Sequence, residues 1–462
     1  MNLDSKIFKE YDIRGKYPEQ LNEATAYALG LAFAKTVKAK KIIIGRDKRV
    51  ESEKIFWTLI AGLVKGGLKV IDIGVCSTPE LFFAVGINKN HVGAIVTASH
   101  SPKGQTGIKF CNKQGVVFGL HTGLKKIKEV SSCEIKKIKL SKEFKVNPDE
   151  VNFASFATDY RDFVLSFINQ KKFNGLKLVI DASGGSGSRL AETVFNALPI
   201  EMVYMNFRAE DEFKDHDLNP LLPESQKPIR KEILKSKANL GIIFDGDGDR
   251  AIFVDEAGQF VEPYYINCLL AEIMLSRYPK LEIIIDGRLS LLLPKLIKKQ
   301  GGKVLRHRSG YANIIKTMSE KKLSFGCENS GHFMFNFLLK ERGAFVYGDA
   351  IIPVLLIAEF LKKNKLQLSK AIEKYRKQTA ISGEINIKSD KFESVVKKIK
   401  EYYSDSLFDD LDGLSVWSKA GYWFFNLRQS HTEPLLRLNI EAEEKSKVAE
   451  LKKKLIGLIK KV

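Results

Sequence analysis

Cysteine is scarce here, and the five present (Cys76, Cys111, Cys133, Cys268 and Cys327) are odd in number, widely scattered and form no CxxC pair. That spacing excludes a disulfide framework and a cysteine-based zinc site, and points to reduced, mostly structural thiols. Long apolar runs are also missing. The longest, 350–361, is interrupted by Pro353 and Glu359 and is too short to span a bilayer. The opening residues, MNLDSKIFKEYDIRGK, mix charge with apolar side chains and have no h-region, so no secretory leader is expected. A soluble cytoplasmic chain without a membrane partner follows. Acidic residues are in deficit, 55 against 75 Lys and Arg, which leaves a formal charge of +20. Such a field favours anionic partners, nucleic acid among them. No aromatic-interleaved basic cluster and no nucleic-acid-binding signature occurs, however. The lysines fall instead at helical spacing, as in 448–462, where Leu451, Leu455, Ile456 and Ile459 form an apolar stripe beside Lys452 to Lys454. A small phosphorylated substrate answers the same charge, and no nucleic-acid partner is expected.

What is present is enough apolar material, 44% of 462 residues, for several cores, so three or four domains are expected. Three short apolar runs, KIIIGRD (41–47), KLVIDAS (177–183) and EIIIDGR (282–288), each read as a buried strand opening a loop. Each leads through an apolar helical stretch to a second strand, in GGLKVIDIG, PIEMVYMN and GGKVLRH respectively. The result is a weak internal repeat of βαβ units, hence α/β layers with mostly parallel sheets. The polar segment 131–149 suggests one boundary, the second strand-rich unit ends near Gly258, and 366–389 precedes a differently composed C-terminal piece. The expected divisions are 1–150, 151–258, 259–368 and 369–462.

Four motifs carry chemistry. In Asp245-Gly-Asp247-Gly-Asp249-Arg250, three carboxylates at alternate positions can converge on one hard cation, magnesium or calcium, while the glycines permit a tight loop. An EF-hand competes for this reading, since Glu256 falls at its twelfth position. Against it, Arg250 replaces the sixth-position glycine, and the flanks LGIIF and AIFV are β-like. In Thr97-Ala98-Ser99-His100-Ser101-Pro102, a small-residue turn after VGAIV exposes a hydroxyl at a sheet's carboxyl edge, with His100 placed to orient or polarise Ser99. A strand-ending turn with a solvated histidine is the plain alternative. Arg428-Gln-Ser430-His431-Thr432-Glu-Pro combines a guanidinium, hydroxyls and loop backbone as a phosphate dianion requires, or is simply a polar hairpin loop. Glu328-Asn-Ser330-Gly-His332 suits sugar hydroxyls, or an ordinary turn.

Together and in this order, these motifs resemble the α-D-phosphohexomutase superfamily, and within it the phosphomannomutase/phosphoglucomutase branch. The likeness runs from about Tyr11 to Glu441 and includes EYDIRG, GRDKR (45–49), STPELFFA from Ser77 and GIKF around Lys109. It implies three related α/β domains with mixed sheets plus a C-terminal α+β domain resembling the TATA-box-binding-protein fold, around a central active-site cleft. By that resemblance Ser99 is the phosphoserine, and Asp245, Asp247 and Asp249 bind one Mg2+ per chain with the serine phosphate as a further ligand. Lys109 matches the family lysine near the transferring group, and Arg250 and His332 match groups around the phosphoserine and the sugar, with proton transfer assigned to Lys109 or His332. Tyr11 and Arg14 match first-domain residues near the substrate, and Arg288 a basic third-domain position. Glu328 and Ser330 match the loop gripping the sugar's 3- and 4-hydroxyls. Arg428, Ser430, His431 and Thr432, with Arg437 further along the run, match the grip on the phosphate that is not transferring.

The implied activity is reversible interconversion of hexose 1- and 6-phosphates, mannose and glucose, by a monomer or homodimer through a hexose 1,6-bisphosphate that also serves as activator. Phosphoglucosamine mutase and a non-catalytic phosphosugar-binding protein are the alternatives. Four positions depart from the pattern: Ser101 and His431 replace asparagines, Tyr311 stands where histidine is frequent, and Cys327 where glycine is common. None removes the nucleophile or a metal ligand.

Overall fold

The computed structural model describes residues 2–138, 144–208, 216–339, 343–430 and 434–462. Residues 139–143 of the expected polar boundary, and His431 and Thr432, lie outside them. The chain divides into two compact units: Met1–Phe260, Tyr311–Lys322 and His332–Lys365 form the first, and Val261–Gly310, Leu323–Gly331 and Leu366–Val462 the second.

In the first unit, a six-stranded sheet has the order Ile13–Lys16, Gln105–Cys111, His91–Val96, Lys41–Arg46, Lys69–Val75 and Val151–Phe153. The last four pair in parallel, and Gln105–Cys111 runs antiparallel to both its neighbours. Parallel strands are buried on both faces, which is why IIIG and VGAIV are continuous apolar runs; Ile42, Ile43 and Ile44 have no exposure. A second sheet places Ala251–Val254, Leu240–Phe244, Lys177–Asp181 and Glu201–Met205 side by side in that order. The two short runs read as β-like, LGIIF and AIFV, pair antiparallel as a hairpin whose loop is DGDGDR. Strand flanks exclude the EF-hand, which needs helices on both sides. The hairpin Phe333–Leu339 with Gly343–Gly348 also belongs to this unit.

In the second unit, Glu282–Asp286 lies between Lys303–His307 and Phe325–Cys327, parallel to both. The C-terminal part is a five-stranded antiparallel sheet in the order Ala380–Lys388, Leu435–Ala442, Trp423–Gln429, Leu414–Trp417 and Leu407–Asp409. Its apolar face is covered by Phe392–Tyr402 and Lys445–Lys460, whose Val395, Ile399, Leu451, Leu455 and Ile459 are buried against Phe425 and Leu438. The expected apolar stripe is thus the core face of the last helix, with Lys452 to Lys454 exposed. The three repeats read from the sequence form the strand pairs Lys41–Arg46 with Lys69–Val75, Lys177–Asp181 with Glu201–Met205, and Glu282–Asp286 with Lys303–His307, all parallel. No helix among the described residues is long and apolar enough to cross a membrane. All five cysteines are free, and only Cys133 is exposed.

Candidate active site

Strand His91–Val96 delivers the chain to Ser99, which is buried and adopts a left-handed backbone, φ +51°. That conformation costs a non-glycine residue about 1–3 kcal/mol and persists where its surroundings enforce it. Arg49 is the enforcer. Its buried guanidinium donates to the carbonyls of Ser99 (2.8 Å), Ser101 (2.6 Å), Pro102 (3.1 Å) and Gln105 (3.3 Å). Asp47, itself buried, holds Arg49 through its backbone N–H (3.0 Å) and Nε (3.3 Å), and accepts from Ser52 Oγ at 2.6 Å. Hydrogen bonds to charged groups contribute about 1.5–3 kcal/mol each, so several of them readily offset the strain at Ser99.

The DGDGDR loop meets this turn directly. Ser99 Oγ lies 3.1 Å from Asp245 Oδ2 and 3.2 Å from His100 Nδ1. Gly246 is needed for the approach, since a Cβ there would sit 2.5 Å from the Ser99 carbonyl oxygen. Lys109, on strand Gln105–Cys111, donates to Asp247 Oδ2 (2.6 Å) and Asp249 Oδ2 (2.9 Å). Thr78, at the start of helix Thr78–Ile87, donates its hydroxyl to the same Asp247 Oδ2 at 2.6 Å and its N–H to the Asp247 carbonyl at 2.9 Å. Ser77 caps that helix by accepting from Glu80 N–H.

One carboxylate oxygen from each of Asp245, Asp247 and Asp249 falls within 4.8 Å of the others, and all three side chains are buried. Burial, together with Asp249 and Asp247, pushes the Asp245 carboxyl up to about 7. Burial acts on Asp249 in the same sense, but Lys109 and His332 outweigh it and hold that acid well below the carboxylate range. Asp247 Oδ1 is buried with no hydrogen-bond partner among the described residues. Three crowded acids, one driven towards protonation and one with an unused oxygen, fit a hard divalent cation bound by oxygen ligands.

Around them stand the other expected residues of the first unit. Arg250 Nε is 3.4 Å from Asp245 Oδ2 and 3.3 Å from His332 Nε2, and that Nε2 is 3.2 Å from Asp249 Oδ1. His332 Nε2 therefore faces a donor on one side and an acceptor on the other, an arrangement in which gain or loss of its proton swaps partners. The neighbouring Arg250, with burial, holds His100 well below the imidazole range, so its ring is neutral. Burial disfavours the Lys109 ammonium, yet Asp247 and Asp249 outweigh it and keep the amine protonated. Arg14 donates to Ser101 Oγ at 2.7 Å and pairs with Asp12, and Tyr11 OH accepts from Asn313 at 3.4 Å. The Tyr311 ring lies 5.2 Å from that of His332, and its hydroxyl accepts from Gly348 N–H at 2.7 Å.

The second unit holds the remaining ones. Glu328, 3% exposed, accepts from Gly310 N–H at 2.7 Å and lies 3.4 Å from Ser330 Oγ. Asp286 ends the strand Glu282–Asp286, pairs with Arg288 Nε at 2.7 Å, and accepts from Asn329 N–H at 3.2 Å, which ties the 328–330 loop to that strand end. Arg428 and Arg437 face each other across adjacent strands, and Ser430 Oγ lies 3.5 Å from Arg437 Nη2. The motif 328–332 is thus split: Glu328 and Ser330 belong to the second unit and His332 to the first.

Family models for phosphoglucomutase/phosphomannomutase match the chain in order: alpha/beta/alpha domain I over residues 5–134, domain II over 158–258, domain III over 262–378 and the C-terminal domain over 384–458. The chain belongs to the phosphoglucomutase/phosphomannomutase family. It is 34% identical over 469 residues to a phosphomannomutase of Methanocaldococcus jannaschii, covering 99% of this chain and 98% of the relative. Phosphohexose mutases of Xanthomonas campestris pv. campestris are 34% identical over 441 residues, 94% of each chain. In fold it resembles the crystal structure of a Burkholderia thailandensis member of the family, with a TM-score of 0.84 at 24% identity, over 99% of this chain and 98% of that one.

Within this phosphohexomutase fold, sequence reasoning missed Arg49, Asp47, Thr78 and Asp286. Each stands at a strand end or helix start inside a stretch it did recognise, GRDKR, STPE or EIIIDGR, and a charge or hydroxyl at such a place is the signal that points to them.

Proposed function

We propose that this chain is a phosphomannomutase/phosphoglucomutase that interconverts hexose 1-phosphates and 6-phosphates through a phosphoserine at Ser99. The observation that carries this is Ser99 Oγ at 3.1 Å from Asp245 Oδ2, beside three buried aspartates and the Lys109 ammonium. A strained, buried serine next to crowded acids has no reason to exist as packing; it makes sense as a hydroxyl that carries a phosphoryl group. Asp245, Asp247 and Asp249 would hold Mg2+, which would supply neutralisation of the phosphoryl charge.

In the forward step the phosphoserine P–O bond breaks as a sugar hydroxyl oxygen bonds to phosphorus. The hydroxyl's proton passes to His332, and Lys109, held protonated, offsets the negative charge left at the serine oxygen. The 1,6-bisphosphate then turns over, and its other phosphoryl group returns to Ser99 by the same path reversed. Arg250 and neutral His100 orient the groups about the serine, and Tyr11 and Arg14 line the approach. Glu328 and Ser330 take the sugar's 3- and 4-hydroxyls, and Arg288, Arg428, Ser430 and Arg437, with His431 and Thr432, take the phosphate at rest. A grip on phosphate and two equatorial hydroxyls accepts both orientations of the intermediate.

The test is to incubate the purified chain with Mg2+ and a trace of hexose 1,6-bisphosphate on mannose, glucose and glucosamine 1-phosphates, beside Ser99→Ala. Conversion of mannose and glucose phosphates, lost in Ser99→Ala, is expected. Conversion of none would overturn the proposal, conversion of glucosamine phosphate alone would replace it with phosphoglucosamine mutase, and full activity of Ser99→Ala would remove the phosphoserine route. A cytoplasmic setting and a monomer or homodimer complete the proposal.

A further inference from the structure

Strand Ala380–Lys388 carries an irregularity in front of the arginines of the second unit. Ile381 pairs with Glu441 and Glu384 with Asn439, so Ser382 and Gly383 together oppose the single residue Ile440. Gly383 has φ +68°, the left-handed region that favours glycine, and Ser382 Oγ takes the Ile440 N–H at 2.9 Å. A bulge of this kind moves the next side chain to the other face of the sheet, and bulges beside active sites re-aim side chains. Here the re-aimed side chain is Glu384. Its Oε2 lies 3.3 Å from Arg288 Nη1 and 3.3 Å from Arg428 Nη2, and its Oε1 lies 3.1 Å from Arg437 Nη1.

An independent observation shows the cluster is short of negative charge. Arg428 and Arg437 are directly opposite in the ladder, a like-charge pairing that destabilises a sheet unless an anion lies between the two. Among the described residues, the Nε of each is buried without a hydrogen-bond partner. Among the described residues, three guanidiniums are ion-paired with two carboxylates, Asp286 on Arg288 and Glu384 shared by all three, with Glu328 acting on Arg288 without pairing to it, so direct pairing leaves one positive charge over. A phosphate monoester carries about −1.5 to −2 at neutral pH, which overfills the cluster while Glu384 stays and matches it once Glu384 moves away. Burial opposes ionisation of Glu384, but Arg288, Arg428 and Arg437 outweigh it and hold its carboxyl below the usual range.

We infer that Glu384 is a tethered counter-ion that occupies the arginine cluster, is displaced by the resting phosphate of the substrate, and by returning speeds that phosphate's release. The inference rests on the mutase reading of the same arginines. It makes Glu384 a positioning residue that sets how tightly the phosphate is held, in a reaction whose bisphosphate must let go of this cluster to turn over.

The test uses the full chain with Mg2+ and two readouts. In calorimetric titrations with inorganic phosphate and with glucose 6-phosphate, Glu384→Gln is expected to bind both roughly tenfold tighter, since one partly shielded unit charge has left the site. In steady-state assays KM falls and kcat falls with it, a split that mere loosening of the strand, which raises KM, does not produce. Glu384→Asp withdraws the charge by one methylene; intermediate affinity is expected, and it decides the question if the glutamine variant does not fold. Unchanged or weaker phosphate binding in the variants, or no phosphate binding by any of the proteins, overturns the inference. The titrations need no turnover, so a wild-type chain that binds phosphate but converts no hexose phosphate sinks the mutase reading and leaves the role of Glu384 to be decided separately.

Discussion

Thr78→Val removes one hydroxyl and almost no volume, and it probes how the cation site is built. Asp247 Oδ2 accepts from Thr78 Oγ1 and from Lys109 Nζ, both at 2.6 Å, in a buried setting, while Oδ1 of the same carboxylate has no partner among the described residues. Thr78 and Lys109 thus occupy one oxygen of the carboxylate and leave the other for a cation. A hydrogen bond to a buried charge contributes about 1.5–3 kcal/mol, and with Lys109 still in place the lower end applies, about 1.5–2 kcal/mol. At about 1.4 kcal/mol per factor of ten, Mg2+ binding is expected to weaken roughly 10- to 30-fold, in the range found for partners behind a metal ligand. Calorimetric titration of the metal-stripped chain with Mg2+ measures this without turnover, and Thr78→Ser, which keeps the hydroxyl, is expected to restore most of the affinity. Wild-type Mg2+ affinity in a folded Thr78→Val chain would refute the reasoning. So would a serine variant as weak as the valine one, because the lost methyl and not the hydroxyl would then be responsible.

Gly246→Ala places a Cβ 2.5 Å from the Ser99 carbonyl, and that oxygen belongs to backbone that cannot swing aside; kcat is expected to fall about 100-fold from displacement of the hydroxyl, read in the mutase assay with Mg2+ saturating. Arg49→Lys keeps the charge but loses the planar fork that reaches four carbonyls; a stability loss of about 2 kcal/mol in urea unfolding, with slower phosphorylation of Ser99 by hexose bisphosphate, is expected. Glu441, fully buried, accepts from Tyr264 OH, Leu291 N–H (2.7 Å), Leu292 N–H (2.9 Å) and Thr379 Oγ1 (3.3 Å). Glu441→Gln turns an amide donor towards those donors, so a loss of about 3 kcal/mol in unfolding free energy, read as a lower urea midpoint, is expected, and an unchanged midpoint would count against the network.

The local features were legible because local chemistry dictates them. KIIIGRD, KLVIDAS and EIIIDGR fold as the strands read from their unbroken apolar runs. DGDGDR announced a cation site because three carboxylates at alternate positions on a glycine-permitted turn can converge wherever that turn sits, and they do. The Ser-His pair at 99–100 was weaker by itself, since nothing in TASHSP tells of Asp245, 146 residues away. Glu384 was illegible for a different reason. In ISGEINI it reads as an ordinary exposed strand position, and the bulge at Ser382 and Gly383 that re-aims it exists only through pairing with strand Leu435–Ala442.

The sequence by itself determined the class of fold, the strand that leads to the turn at Ser99 and the close spacing of Asp245, Asp247 and Asp249 on one loop, since strand and turn chemistry act over a few residues. Tertiary structure decided which groups act on which: that Thr78 and Lys109 share one oxygen of Asp247, that Arg49 holds Ser99 in a strained turn, and that one carboxylate bridges three arginines. Those relations join residues far apart in the chain, and burial, which makes each unpartnered charge costly, selects them only once the chain has closed around them.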